Sequence, residues 1–96
     1  MKYVRVTVRE DVVSRVLDGE AVLLDLASGS YFGLNEVGTV VWEELRTHGQ
    51  VEKAIAKVLE EFEVERDTVE KDVDELLAEL VEKKLLVATS SDEGTP

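Results

Sequence analysis

His48 is the single histidine of this 96-residue chain, and cysteine is absent. An imidazole without a thiol beside it, and without acidic residues at ligand spacing, forms neither a metal corner nor a nucleophile–base pair. His48 falls instead where a helix should end, a favourable place for positive charge. Ser28, Ser30, Ser90 and Ser91 lie in turns or in the tail, outside any nucleophile-elbow pattern. The glycines are scattered, so no loop is built to cradle phosphate. Asp72, Glu75, Glu79 and Glu82 include i,i+3 and i,i+4 pairs that could hold a cation weakly. On a helix, carboxylates at this density ordinarily form a solvated face. No catalytic residue, metal site or cofactor is expected; the expected function is binding.

The elements that would position a binding surface follow from hydropathy patterning. Val4, Val6 and Val8 alternate with charged or polar neighbours, as in a half-buried strand. Ser14 to Leu17 reads as a short second piece before an Asp18-Gly19 turn. Glu20 to Leu26 is apolar on both faces and is expected to be central, with cover on both sides. Across a tight Ala27-Ser28-Gly29 connection comes Ser30 to Leu34, which feeds through Asn35, a good N-cap, into a helix. Being last and leading straight into a helix, it is expected at a sheet edge. It contains neither Pro nor charge, so it lacks the usual protection against pairing with another extended chain. Tyr31, Phe32 and Leu34 cannot all face one side; Phe32 and Leu34 are expected toward the core.

Three helices complete the pattern. The first is expected from Glu36 to Thr47, with Val37, Val40, Val41 and Leu45 on one face and Gly49 beyond its end. Trp42 is expected as a packing residue. The second runs from Val51 to Phe62, with Val51, Ala54, Ile55, Val58, Leu59 and Phe62 in helical register. The third starts at Asp67, where Asp67-Thr68-Val69-Glu70 has capping-box spacing. Its inward stripe is Val69, Val73, Leu76, Leu77 and Leu80, with Asp72 and Glu79 on one shoulder and Asp74 on the other. Leu85-Leu86-Val87 should pack back on the body. The expectation is one α+β domain over residues 1–87, winged helix-turn-helix-like, with an antiparallel sheet of three to four strands followed by three helices. Residues 88–96 should form a flexible acidic tail.

Charge narrows the partners. Eleven Lys and Arg stand against 22 Asp and Glu, a net charge of −11. Residues 51–96 carry −8 of it, from 14 acidic and 6 basic residues. The winged-helix order alone would suit DNA, but the third helix would then enter the major groove. Asp67 to Lys84 holds seven acidic and three basic residues, which repel phosphate, so nucleic acid is excluded as a partner. Apolar runs of three or four residues cannot span a membrane. The N-terminus reads as strand rather than signal peptide, and a chain without cysteine suits a cytoplasmic location.

Leu24-Asp25, Tyr31, Leu34-Asn35, Gly38, Trp42 and Leu45, then His48-Gly49, Asp72-Val73, Leu80 and Leu85-Leu86 form an ordered series. In that series the chain resembles the small recognition domains that bind precursor peptides of ribosomally made, modified natural products. The family includes pyrroloquinoline quinone synthesis protein D, and the spacing of Tyr31, Gly38 and Trp42 is closer to the stand-alone leader-binding proteins of lasso peptide clusters. Many members carry Gly just before the terminal apolar pair; Lys84 stands there in this chain. The resemblance implies a non-catalytic protein that holds a leader peptide as an added strand, between the sheet edge and the third helix. It implies binding residues Ser30, Tyr31, Phe32, Gly33, Leu34, Val69, Asp72, Val73 and Leu76. The implied partners are the precursor peptide and a maturation enzyme, in lasso pathways a leader peptidase and then a cyclase. A quinone-synthesis chaperone working with a radical enzyme, and a winged-helix dimerisation module, stay open beside it.

Overall fold

The structure, a computed structural model, describes residues 3–89. Its strands are β1 (Arg5–Val8), β2 (Val12–Leu17), β3 (Glu20–Asp25), β4 (Tyr31–Gly33) and β5 (Leu86–Thr89); its helices are α1 (Glu36–His48), α2 (Val51–Glu61) and α3 (Arg66–Glu82). The α+β expectation holds, but the strands divide into two sheets. β2, β3 and β4 form one antiparallel sheet in that order, while β1 pairs with β5. β1 leaves the hairpin sheet because its own edge is used elsewhere. Its Val6 N–H donates to the Gly49 carbonyl and its Val4 carbonyl accepts from Val51 N–H, across the α1–α2 junction.

The β2–β3 hairpin closes on Asp18 (φ 55°) and Gly19 (φ 81°), two left-handed residues between the paired Leu17 and Glu20. That conformation gives a two-residue loop the twist the strands require. One face of the sheet enters the core through Ala21, Leu23 and Leu34. The other is uncovered, contrary to expectation: Val13, Val22 and Tyr31 remain exposed, because α1 and the core lie on the opposite side. The core is centred on Trp42, Leu23, Leu45, Ile55, Leu77, Leu80 and Leu86, so Trp42 is a packing residue as expected.

Helix ends differ from the expected ones in instructive ways. Asn35 caps α1, its side-chain oxygen accepting from Gly38 N–H at 2.8 Å. Gly49 ends it at φ 73°, with its N–H on the Leu45 carbonyl. α2 stops at Glu61, and Phe62 is the capping residue. The capping box at Asp67 does not form: α3 begins at Arg66 after Glu65, which makes no side-chain cap. Glu70 is instead held by Arg66 Nε at 2.6 Å, and the same guanidinium reaches Glu52 on α2. The Glu52 carboxylate, and then Glu70, raise the pKa of Arg66 above its ordinary value. Ala88 and Thr89, expected in the tail, belong to β5; the rest of the tail, with Ser90 and Ser91, lies outside the described residues.

β4 is joined to α1 by a specific device. Leu34 N–H donates to the Ala21 carbonyl at 2.8 Å, but Ala21 N–H turns to the buried Thr39 hydroxyl oxygen, also at 2.8 Å. The ladder therefore ends at this pair, and the chain is released into the helix. Thr39→Val keeps the shape and orphans the Ala21 N–H, which should cost about 1–3 kcal/mol. Denaturant titration of the two proteins measures it, and equal midpoints would show that the bond is dispensable.

Candidate functional site

β4 is a sheet edge, so half of its backbone groups have no ladder partner. Which half follows from two bonds. Asp25 N–H donates to the Ser30 carbonyl at 2.9 Å, and Leu34 N–H to Ala21. With Leu23 opposite Phe32 in the register, antiparallel alternation makes Phe32 the inward-bonded residue between them. The N–H and C=O groups of Tyr31 and Gly33 consequently point to the open edge. Side chains alternate along the same strand: Tyr31 is 77% exposed, Phe32 is half-buried and Leu34 is buried.

The turn preceding β4 is held by Asp25, whose residue is only 5% exposed. Its carboxylate accepts from Ala27 N–H at 3.0 Å and from the Ser28 hydroxyl at 3.1 Å, while Ser28 Oγ accepts from Ser30 N–H at 3.2 Å. Arg9 Nη1 stands 3.9 Å from the same carboxylate. This network fixes the point at which the edge strand starts, as Thr39 fixes the point at which it ends.

Beside the edge lies a groove of about 430 Å³. Phe32, Gly33 and Leu34 line one side, and Val69, Asp72, Val73 and Leu76 of α3 line the other. Seven of the nine site residues read from the sequence thus meet there. Ser30 and Tyr31 border a second depression that shares Phe32 with the first and adds Arg9, Asp25, Lys83, Lys84 and Leu85. The acidic shoulder of α3 left open by the sequence is that of Asp72, Glu75 and Glu79, which line the groove. Asp74 is not among the lining residues.

Several lining residues were not singled out as binding residues: Asn35, Val37, Gly38, Val41, Val58, Val64 and Thr68. Gly38 carries a readable signal. A Cβ there would stand 3.3 Å from Asn35 Oδ1 and 3.4 Å from Leu34 Cβ, so the side chain is absent where the N-cap closes over the helix. Val64 and Thr68 carried no signal, because Val64 lies in the α2–α3 turn and Thr68 in the first turn of α3, outside its apolar stripe. Among the described residues no group of His, Cys, Asp or Glu is arranged to hold a metal. No described helix is long and apolar enough to cross a membrane. The site offers hydrogen-bonding backbone, an apolar floor and an acidic rim, which together suit an extended peptide.

Two solved structures and one family model are similar to this chain. The solved structure "TbiB1 in Complex with the TbiA(beta) Leader Peptide" is 39% identical, with a TM-score of 0.77, over 83% of this chain and 93% of that one. A second, "Lasso peptide synthetase B1 complexed with the leader peptide", is 26% identical with a TM-score of 0.76, over 86% and 98%. None of the curated proteins matches the sequence. The family model for coenzyme PQQ synthesis protein D (PqqD) matches residues 20–86, which run from the start of β3 into β5 and include the whole groove. The chain is a member of the PqqD family.

Proposed function

We propose that this protein is a non-catalytic carrier in lasso peptide biosynthesis, working in the cytoplasm. It captures the N-terminal leader of a ribosomal precursor as a fourth strand on β4, held against α3. The observation that carries the reading is the open edge at Tyr31 and Gly33, facing a groove whose other wall is helical. The likeness to two leader-bound lasso proteins supports the ligand class, and favours a leader peptidase and cyclase as recipients over a radical enzyme. Within the stretch Ser30 to Leu34, Tyr31 and Gly33 would supply the pairing groups, with Ser30, Phe32 and Leu34 bonded inward to β3. Val69, Val73 and Leu76 would supply apolar contact, and Asp72 charge.

Delivery without catalysis has a direct check. Incubated with its precursor and no partner enzyme, the purified protein should leave the precursor mass unchanged while binding it. Cleavage by the pure protein would overturn the non-catalytic reading.

Strand addition has a sharper one. Replacing single amides by esters removes one N–H donor while leaving the side chain in place. At Tyr31 and Gly33 the ester should spare the melting temperature and weaken leader binding, by about 0.5–1.5 kcal/mol for each lost bond. At Phe32, whose donor faces β3, it should lower the melting temperature. Calorimetric titration with the leader and thermal melting of the three variants separate these effects. Normal binding by the Tyr31 and Gly33 esters would rule out pairing at this edge.

A further inference from the structure

Two adjoining hollows beside β4, which meet at Phe32, carry opposite charges. Asp72, Glu75 and Glu79 line the groove beside Gly33 and Leu34, whereas Lys83 and Lys84 border the depression beside Ser30 and Tyr31. Among the described residues none of these five side chains forms a salt bridge, in a protein where most other cations on the helices are paired with Glu. The nearby Arg9 is already engaged with Asp11 and Asp25. Lys83 is oriented over Phe32, with Nζ 5.9 Å from the ring centroid, at the place where the two depressions meet.

Lys84 is the more telling of the pair. Its φ is 64°, a left-handed conformation that side chains other than Gly rarely adopt. Lys84 N–H donates to the Val81 carbonyl and Leu85 N–H to the Leu80 carbonyl, a Schellman ending in which Gly is the favoured residue. A charged residue stands where the backbone favours Gly, and it borders the depression beside Tyr31.

We infer that the groove selects peptides by the order of their charges. The preferred ligand runs antiparallel to β4, with Lys or Arg toward its N-terminus and Asp or Glu further along. The inference rests on peptide capture at the β4 edge. Direction follows from the sheet: every pair in it is antiparallel, and antiparallel pairing is the more stable per residue. A chain opposed to β4 enters beside Gly33 and Asp72 and leaves beside Tyr31 and Lys83.

Selection of random dodecapeptides displayed on phage, with the folded full chain as bait, tests this without knowledge of the natural precursor. Peptides with basic residues preceding acidic ones should be enriched about tenfold over the reverse order at low salt, and the bias should shrink as salt rises. The double variant Lys83→Glu with Lys84→Glu should lose the acidic preference and keep the basic one; Asp72→Lys with Glu75→Lys should do the opposite. Lys84→Gly should melt no lower than the parent and still weaken the acidic preference, a combination that a purely structural role would not produce. Enriched peptides without charge order, or the same peptides from parent and variants, would overturn the inference while leaving peptide capture standing. Failure of the folded chain to enrich any peptide would overturn both.

Discussion

The bond from Ala21 N–H to the Thr39 hydroxyl oxygen is the point on which the binding face depends. Ala21 would otherwise return that N–H to Leu34 and prolong the hairpin. By taking it, Thr39 ends the ladder, brings α1 against β3 and leaves β4 only three residues long. Asn35 then begins the helix at once, and Gly38 lets the cap and Leu34 approach without a side chain between them. The groove floor is the consequence. Val37 and Val41 are presented beside Leu34 because the helix starts where the strand stops. Strand edge and apolar floor are two results of one junction.

The opposite wall depends on how α3 is anchored. Val69, Val73, Leu77 and Leu80 are buried, while Leu76 is half-buried and lines the groove. A single stripe therefore serves both core and site, one edge of it turned outward. Arg66 joins the first turn of α3 to Glu52 on α2, beside its own Glu70. This exposed pairing adds little stability by itself. It does explain why Glu70 is not available to cap the helix.

Short-ranged patterns in the sequence were reliable except for the capping box at Asp67. The alternation of Tyr31, Phe32 and Leu34, the Asn35 cap, the left-handed Gly49 and the inward stripes of the helices can all be read from neighbours in the chain. What could not be read depends on distant partners. β5 pairs with β1 across almost the whole chain, so the split into two sheets leaves no local trace. The outward direction of the Tyr31 and Gly33 amides is set by register against β3, since side-chain alternation alone does not fix hydrogen-bond direction. The acidic shoulder facing the groove depends on the rotation of α3, which Leu77 and Leu80 decide from inside the core. Lys84 could be noticed in the sequence as a departure from Gly, but its left-handed backbone is a fact of the folded chain.

An exposed strand edge invites pairing with any extended chain, including another copy of the same protein. Here the edge is only three residues long, so a second β4 pairing with it would gain few ladder bonds. A net charge of −11 adds repulsion between copies. A basic segment of a different chain experiences the opposite force. The overall negative charge thus discourages self-association while the groove carboxylates attract a basic ligand, which reconciles an unprotected edge with a protein that must remain available to its partner.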